Sequence, residues 1–170
     1  MYNPGDYAVV SRYGVCRIVS VGHPSLSCAD PSVDYYTLRP LREDCVIHIP
    51  CSISSEHLRP VITEEQALDL IKSIPAIRIK RIKDRQRTQR YREAVASGNP
   101  AMLLPVIMEI WQLNEDTIRK GRPISRVTEA TIFREAEMMF NSEMGHALGC
   151  SAADVPGVIR RMVKPAARQK

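Results

Sequence analysis

The residue types best able to do chemistry gather in one short stretch: Cys45, His48 and Cys51 stand three apart, with His57 six further on. Thiolate and imidazole are the preferred ligands of structural zinc, and Cys-x-x-His-x-x-Cys matches fragments of such a site. The spacing fits a strand badly. If residues 46–49 alternate, Cys45 and His48 face opposite sides, and no second Cys-x-x-Cys completes four ligands. The five cysteines are an odd number without framework spacing, so we read them as reduced thiols and expect no metal and no cofactor. Catalysis finds no foothold either. The chain has no Gly-x-Ser-x-Gly, no glycine-rich phosphate loop and no His-Glu-x-x-His, and His23, His48, His57 and His146 sit in unrelated contexts. The expectation is a protein that is not an enzyme and has no small-molecule substrate.

What remains is charge. The net charge of +5 is unevenly spread. Residues 1–60 carry five basic side chains (Arg12, Arg17, Arg39, Arg42, Arg59) against six acidic ones. Residues 78–92, by contrast, hold Arg78, Lys80, Arg81, Lys83, Arg85, Arg87, Arg90 and Arg92 against Asp84 alone. Read as a helix, this stretch offers only Ile79, Ile82 and Tyr91 to a core, with charge nearly all round. A solvated face is the plain reading of most charge runs, but such faces usually mix signs. Here the sign is almost pure, and like charges so crowded repel until phosphate neutralises them. All eight are therefore candidate DNA-contacting residues.

The elements that must position these residues fall into two halves. Apolar segments rich in β-branched and aromatic residues run over 7–10, 15–21, 35–38, 46–49 and 58–62, separated by turn chemistry at 12–14, a long polar loop at 22–34 and a charged return at 41–44. Five short strands in so little chain bury a useful core only if they curl, so the spacing predicts a small SH3- or Tudor-like five-stranded β-barrel over 1–62. At Thr63 the period changes. Thr63-Glu64-Glu65-Gln66 is a capping box, and the following residues read as an all-α domain of about five helices over 63–164: near 64–74, 80–97, 101–119, 126–148 and 152–163, with a basic tail at 165–170. Ser151 with Asp154 reads as the cap of the last helix. The fold class is α+β. Trp111, the single tryptophan, shares a stripe with Leu104, Ile107 and Ile118, which assigns it to packing rather than to a wedge between bases. No run of about 18 apolar residues exists, and the first residues lack a leader's positive and apolar regions, so a cytoplasmic protein without a membrane partner is expected.

Several segments carry a resemblance. Pro4-Gly5-Asp6-Tyr7-Ala8-Val9-Val10, then Tyr13-Gly14-Val15 and residues 18–21, resemble the "GD-x-VVYP-x-HG" opening of the CarD/CdnL family of transcription regulators. They are also similar to the polymerase-interacting module of transcription-repair coupling factors. Tyr36-Thr37-Leu38 and Val46-Ile47-His48-Ile49-Pro50 look like the family's strand pair, while Tyr91 to Asn99 and then Ile110-Trp111 resemble its "ASGD" turn and the helix after it. The resemblance spans roughly residues 4–148. It implies a barrel that binds the β subunit of RNA polymerase by strand addition, with contacts on Leu26, Tyr36, Leu38, Val46, His48 and Pro50. It further implies a helical domain that touches promoter DNA and stabilises the open complex, and a monomer. Two positions depart from the family. His48 stands where a basic residue is common, and Asp84 stands where many members carry a wedging tryptophan, leaving Ile82 as a smaller apolar wedge. The rival reading is a free-standing nucleic-acid-binding protein. The near-neutral charge of 1–60 favours a protein partner for the barrel.

Overall fold

The computed structural model describes residues 1–163 apart from Arg12, Leu26, Cys28, 79–83 and 120–126; it describes the backbone but not the side chains of Asp84, Arg85, 116–118, Val127 and Thr128. The chain is α+β. It separates into two compact units, Met1–Val61 and Ile62–Lys170.

The first unit is a curled, five-stranded antiparallel sheet of β1 (Tyr7–Val10), β2 (Gly14–Gly22), β3 (Tyr35–Pro40), β4 (Ile47–Pro50) and β5 (Leu58–Pro60), in the order β4-β3-β2-β1-β5. The β1–β2 turn is tight: Tyr13 N–H donates to Val10 C=O at 2.9 Å, and Gly14 adopts a φ of 71°, which a side chain would resist. A register shift between Ile18 and Ser20 leaves Val19 as an extra residue on β2. Such a bulge increases twist and bends the strand, which helps the sheet curl. The concave face buries Ala8, Val10, Cys16, Ile18, Tyr36, Leu38, Ile49 and Leu58. Tyr2 packs edge-on against Tyr36, ring centroids 5.9 Å apart. Between β4 and β5 a 3₁₀ turn (Cys51–Ile53) leads into the short helix α1 (Ser54–His57), and β5 ends at Pro60 rather than at residue 62.

The second unit contains α2 (Glu64–Ser73), a 3₁₀ turn (Ile74–Ala76), α3 (Asp84–Ser97), α4 (Pro100–Arg119), α5 (Val127–Ala147) and α6 (Val155–Met162). The Thr63 capping box is present on both sides: Gln66 N–H donates to Thr63 Oγ1, and Thr63 N–H donates to Gln66 Oε1. The paired helices α4 and α5 form the scaffold. At one end α2 and α6 cover them around Ala67, Ile71, Leu103, Leu104, Met139, Phe140, Met144 and Val155. At the other, α3 covers them around Tyr91, Ala94, Val106, Ile110 and Ile132. In the basic stretch the helix is described from Asp84 onward, and 79–83, where its start was expected, lie outside the described residues. Ser151 and Asp154 hydrogen-bond each other in a turn before α6, whose cap position, Asp154, makes no side-chain capping bond. Among the described residues no helix is long and apolar enough to cross a membrane.

Candidate protein and nucleic-acid interfaces

In the sheet unit, β4 stands at one end of the strand order and has a strand neighbour on one side only. Its pairing fixes what the open side offers. Cys51 N–H donates to Asp34 C=O at 2.8 Å, in register with Tyr36 opposite Ile49 and Leu38 opposite Ile47. Antiparallel strands alternate hydrogen-bonded and non-bonded pairs, so Ile49 and Ile47 spend their backbone groups on β3. The N–H and C=O of His48 and the C=O of Pro50 then turn to the open edge. Side chains follow the same two-residue rhythm. Ile49 is buried and Ile47 packs against the core, whereas the His48 ring lies on the convex face with Nδ1 3.2 Å from Thr37 Oγ1.

This geometry divides the six residues expected at a protein interface. Val46, half exposed, and His48 and Pro50, partly exposed, lie on or beside the edge. Tyr36 and Leu38 do not qualify: both side chains are buried in the concave core, and β3 is paired on both sides, so neither its side chains nor its backbone can receive a partner there. Leu26 lies outside the described residues. No group of three His, Cys, Asp or Glu capable of holding an ion occurs among the described residues. Cys16 lies in the core, where burial, and secondarily the nearby Cys45, pushes its thiol up to about 12.

In the helical unit the basic stretch divides as well. Arg78 and Arg92 are exposed. Arg87 Nη2 instead reaches Glu129 Oε1 on α5 at 2.8 Å, with both side chains largely buried. Arg90, one turn on, donates to Glu109 on α4, whose carboxylate is almost wholly buried. Between them Tyr91 is fully buried against Val106, Ile110 and Ile132, and burial pushes its phenol up to about 12 against the lowering effect of the two guanidiniums. Arg87 and Arg90 are therefore corrected from DNA contacts to internal ion pairs that seat α3 on α4 and α5. A buried carboxylate without its cation is very costly, so neither arginine is free to serve a phosphate. Lys80, Arg81, Lys83 and the wedge candidate Ile82 lie outside the described residues, as does the side chain of Arg85.

Trp111 also departs from expectation. It is 56% exposed. Its stripe begins buried at Leu104 and is half covered at Ile107, but the layer formed by α2 and α6 ends there. The neighbouring stripe of Leu103, Val106 and Ile110 is the one that α5 and α3 bury.

The residues that sequence reasoning passed over are the buried carboxylates. Glu109, Glu129 and Glu143 are all under one-tenth exposed, and Glu143 Oε1 accepts from Ile62 N–H at 3.2 Å, tying the start of the unit to α5. A signal existed: Glu109 follows Val106 by three and precedes Leu113 by four, and Glu129 precedes Ile132 and Phe133 by three and four. A carboxylate on an apolar stripe calls for a buried partner. No protein-family model matches the chain, and comparison with curated proteins gives no significant match.

Proposed function

We propose that this chain is a non-enzymatic, cytoplasmic transcription regulator of the CarD type. Its sheet unit, an SH3- or Tudor-like barrel, receives a strand of the RNA polymerase β subunit along β4, and its helical unit contacts promoter DNA to tune open-complex stability. The observation that carries this reading is the one-sided β4. An edge strand with outward N–H and C=O groups is a ready template for strand addition, and exposed Val46 supplies apolar contact beside it. The near-neutral charge of residues 1–60 suits a protein partner, and the positive balance of the remainder suits a polyanion.

The test uses the full chain on immobilised β subunit with two substitutions at one position. His48→Pro removes the outward N–H while sparing every backbone bond to β3; His48→Ala removes the ring, with its contact to Thr37, and keeps the N–H. Strand addition predicts that binding is lost in the first and kept in the second, with melting temperatures close to that of the unsubstituted chain. Equal binding by all three sinks the β4 assignment. A chain that binds duplex DNA but never polymerase is instead the free-standing nucleic-acid-binding protein.

A further inference from the structure

We infer that Arg17 and Arg39, side by side on the convex face of the sheet, clamp the carboxylates of an acidic segment of the protein partner; this deepens the strand-addition reading of β4, on which it rests for the partner's identity. Arg17 on β2 pairs directly with Arg39 on β3, and Tyr7 on β1 pairs with Arg17, so the three stand in one row across three adjacent strands. The residues flanking them along the strands, among them Ala8, Cys16, Ile18 and Leu38, fill the concave core. Alternation therefore turns Tyr7, Arg17 and Arg39 to the opposite face, the one that carries Thr37 and the His48 ring, and all three are exposed. Neither arginine makes an ion pair or a side-chain hydrogen bond with any described residue, although all six acidic side chains of residues 1–60 are described. Like charges directly opposite each other on a sheet are destabilising. The fold carries that cost uncompensated, whereas Arg87 and Arg90 are each matched by a buried glutamate. Opposed side chains start about 5 Å apart at Cβ, so two guanidinium forks can close on one carboxylate or on neighbouring ones.

An acidic protein segment fits this row better than a nucleic acid does. Residues 1–60 carry six acidic against five basic side chains, so a polyanion gains no long-range attraction to this unit. A short acidic segment already held at contact distance needs only the local pair. Tyrosine and arginine are also both enriched at the energetic centre of protein interfaces. The position suits the occupant as well. Leu38 faces Ile47 on β4, and Arg39 follows Leu38, so a strand added to β4 passes about 10 Å, two strand spacings, from Arg39.

The test compares the unsubstituted full chain with a variant carrying Arg17→Gln and Arg39→Gln, on immobilised β subunit and in thermal melts. Loss of the clamp should weaken binding about tenfold or more. The melting temperature should stay unchanged or rise slightly, because the like-charge contact is relieved. A lowered melting temperature would make the arginines structural, and unchanged affinity would remove them from the interface while the β4 reading stands; either overturns the inference. If the unsubstituted chain does not bind the β subunit, the polymerase reading fails and a second arm decides the clamp. There the Nε–H resonances of Arg17 and Arg39 are followed in the full chain as hexaglutamate or single-stranded hexathymidylate is added. Joint shifts with hexaglutamate, larger than those with the oligonucleotide, support a clamp for an acidic segment. Shifts with the oligonucleotide that equal or exceed them, or none with either, overturn it.

Discussion

Helix α3 carries four arginines and α6 two, and they use them in opposite ways. On α3, Arg87 and Arg90 point inward to Glu129 and Glu109, and the helix is held by those pairs and by Tyr91. On α6, Val155 and Ile159 do the holding, and Arg160 and Arg161 are left in solvent. The difference lies in apolar content. The α3 sequence Asp-Arg-Gln-Arg-Thr-Gln-Arg-Tyr-Arg-Glu-Ala-Val-Ala-Ser has too few apolar residues in its first half to dock by hydrophobic burial, so polar side chains must supply the contact. A cation near a helix that cannot otherwise anchor is under suspicion as structure. A cation on a helix that is already anchored is spare.

The largest effect should come from breaking an α3 pair. Glu129→Ala leaves Arg87 buried without its carboxylate and should cost about 3–5 kcal/mol, read as a large fall in melting temperature. Arg90→Ala should cost a comparable amount, because it strands the Glu109 carboxylate, whose side chain is only 5% exposed. Replacing both Arg87 and Glu129 by apolar residues, as Arg87→Met with Glu129→Leu, should recover most of the loss. A mild effect of Glu129→Ala would place Arg87 in solvent and erase the contrast with α6. Charge reversal at Arg87 or Arg90 is consequently a poor test of DNA binding, since it would unseat α3.

A smaller loss is expected at the turn that delivers α6. A Cβ on Gly145 would lie 2.9 Å from Cys150 O and 3.0 Å from Ala152 N, both backbone atoms that cannot swing aside. Gly145→Ala should cost about 1–3 kcal/mol in a chemical-denaturation midpoint. Unchanged stability would mean that the chain after α5 does not fold back closely.

The two units should also respond differently to alkali. Tyr91 keeps its proton in the fold up to about 12, against about 10 for an unfolded tyrosine, so its contribution is complete below pH 10 and disappears as pH rises toward 12. For Cys16 the same sign applies from about pH 9 upward. Melting of the sheet should therefore soften at lower pH than melting of the helices. Tyr91→Phe should abolish its share of the high-pH loss, and a variant that still loses stability in parallel with the unsubstituted chain would assign that loss elsewhere.

Patterns that depend on neighbours in sequence were legible: alternation in β1 to β4, the reciprocal bonds of Thr63 and Gln66, the glycine stop at Gly98, with φ 60°, and the start of α4 at Pro100. What escaped depends on neighbours in space. Trp111 belongs to a helical stripe as apolar as the one that is buried, and only the extent of the covering helices leaves it outside. Tyr36 and Leu38 read as members of an exposed strand until the order β4-β3-β2 shows which strand is last. Glu109 and Glu129 were the missed opportunity, because their positions on apolar stripes already named them as partners for the arginines of α3. Trp111→Ala should accordingly shift stability by no more than about 1 kcal/mol. A loss of several kcal/mol in a thermal melt would return the ring to the core.

The smallest effect should be Arg160→Gln with Arg161→Gln. Glutamine and arginine have nearly equal helix propensity, so the backbone of α6 loses almost nothing. Both arginines sit in the last turn, where a positive charge interacts favourably with the C-terminal end of the helix dipole. At an exposed end in physiological salt that interaction amounts to about 0.3 kcal/mol for each, and there is no buried carboxylate to be stranded as Glu129 would be. The combined cost should stay below about 1 kcal/mol in a urea titration at roughly physiological salt. Raising the salt should shrink it further, because screening removes what little interaction there is. A cost comparable to that of Glu129→Ala would reveal a hidden partner for α6 and make its arginines structural after all.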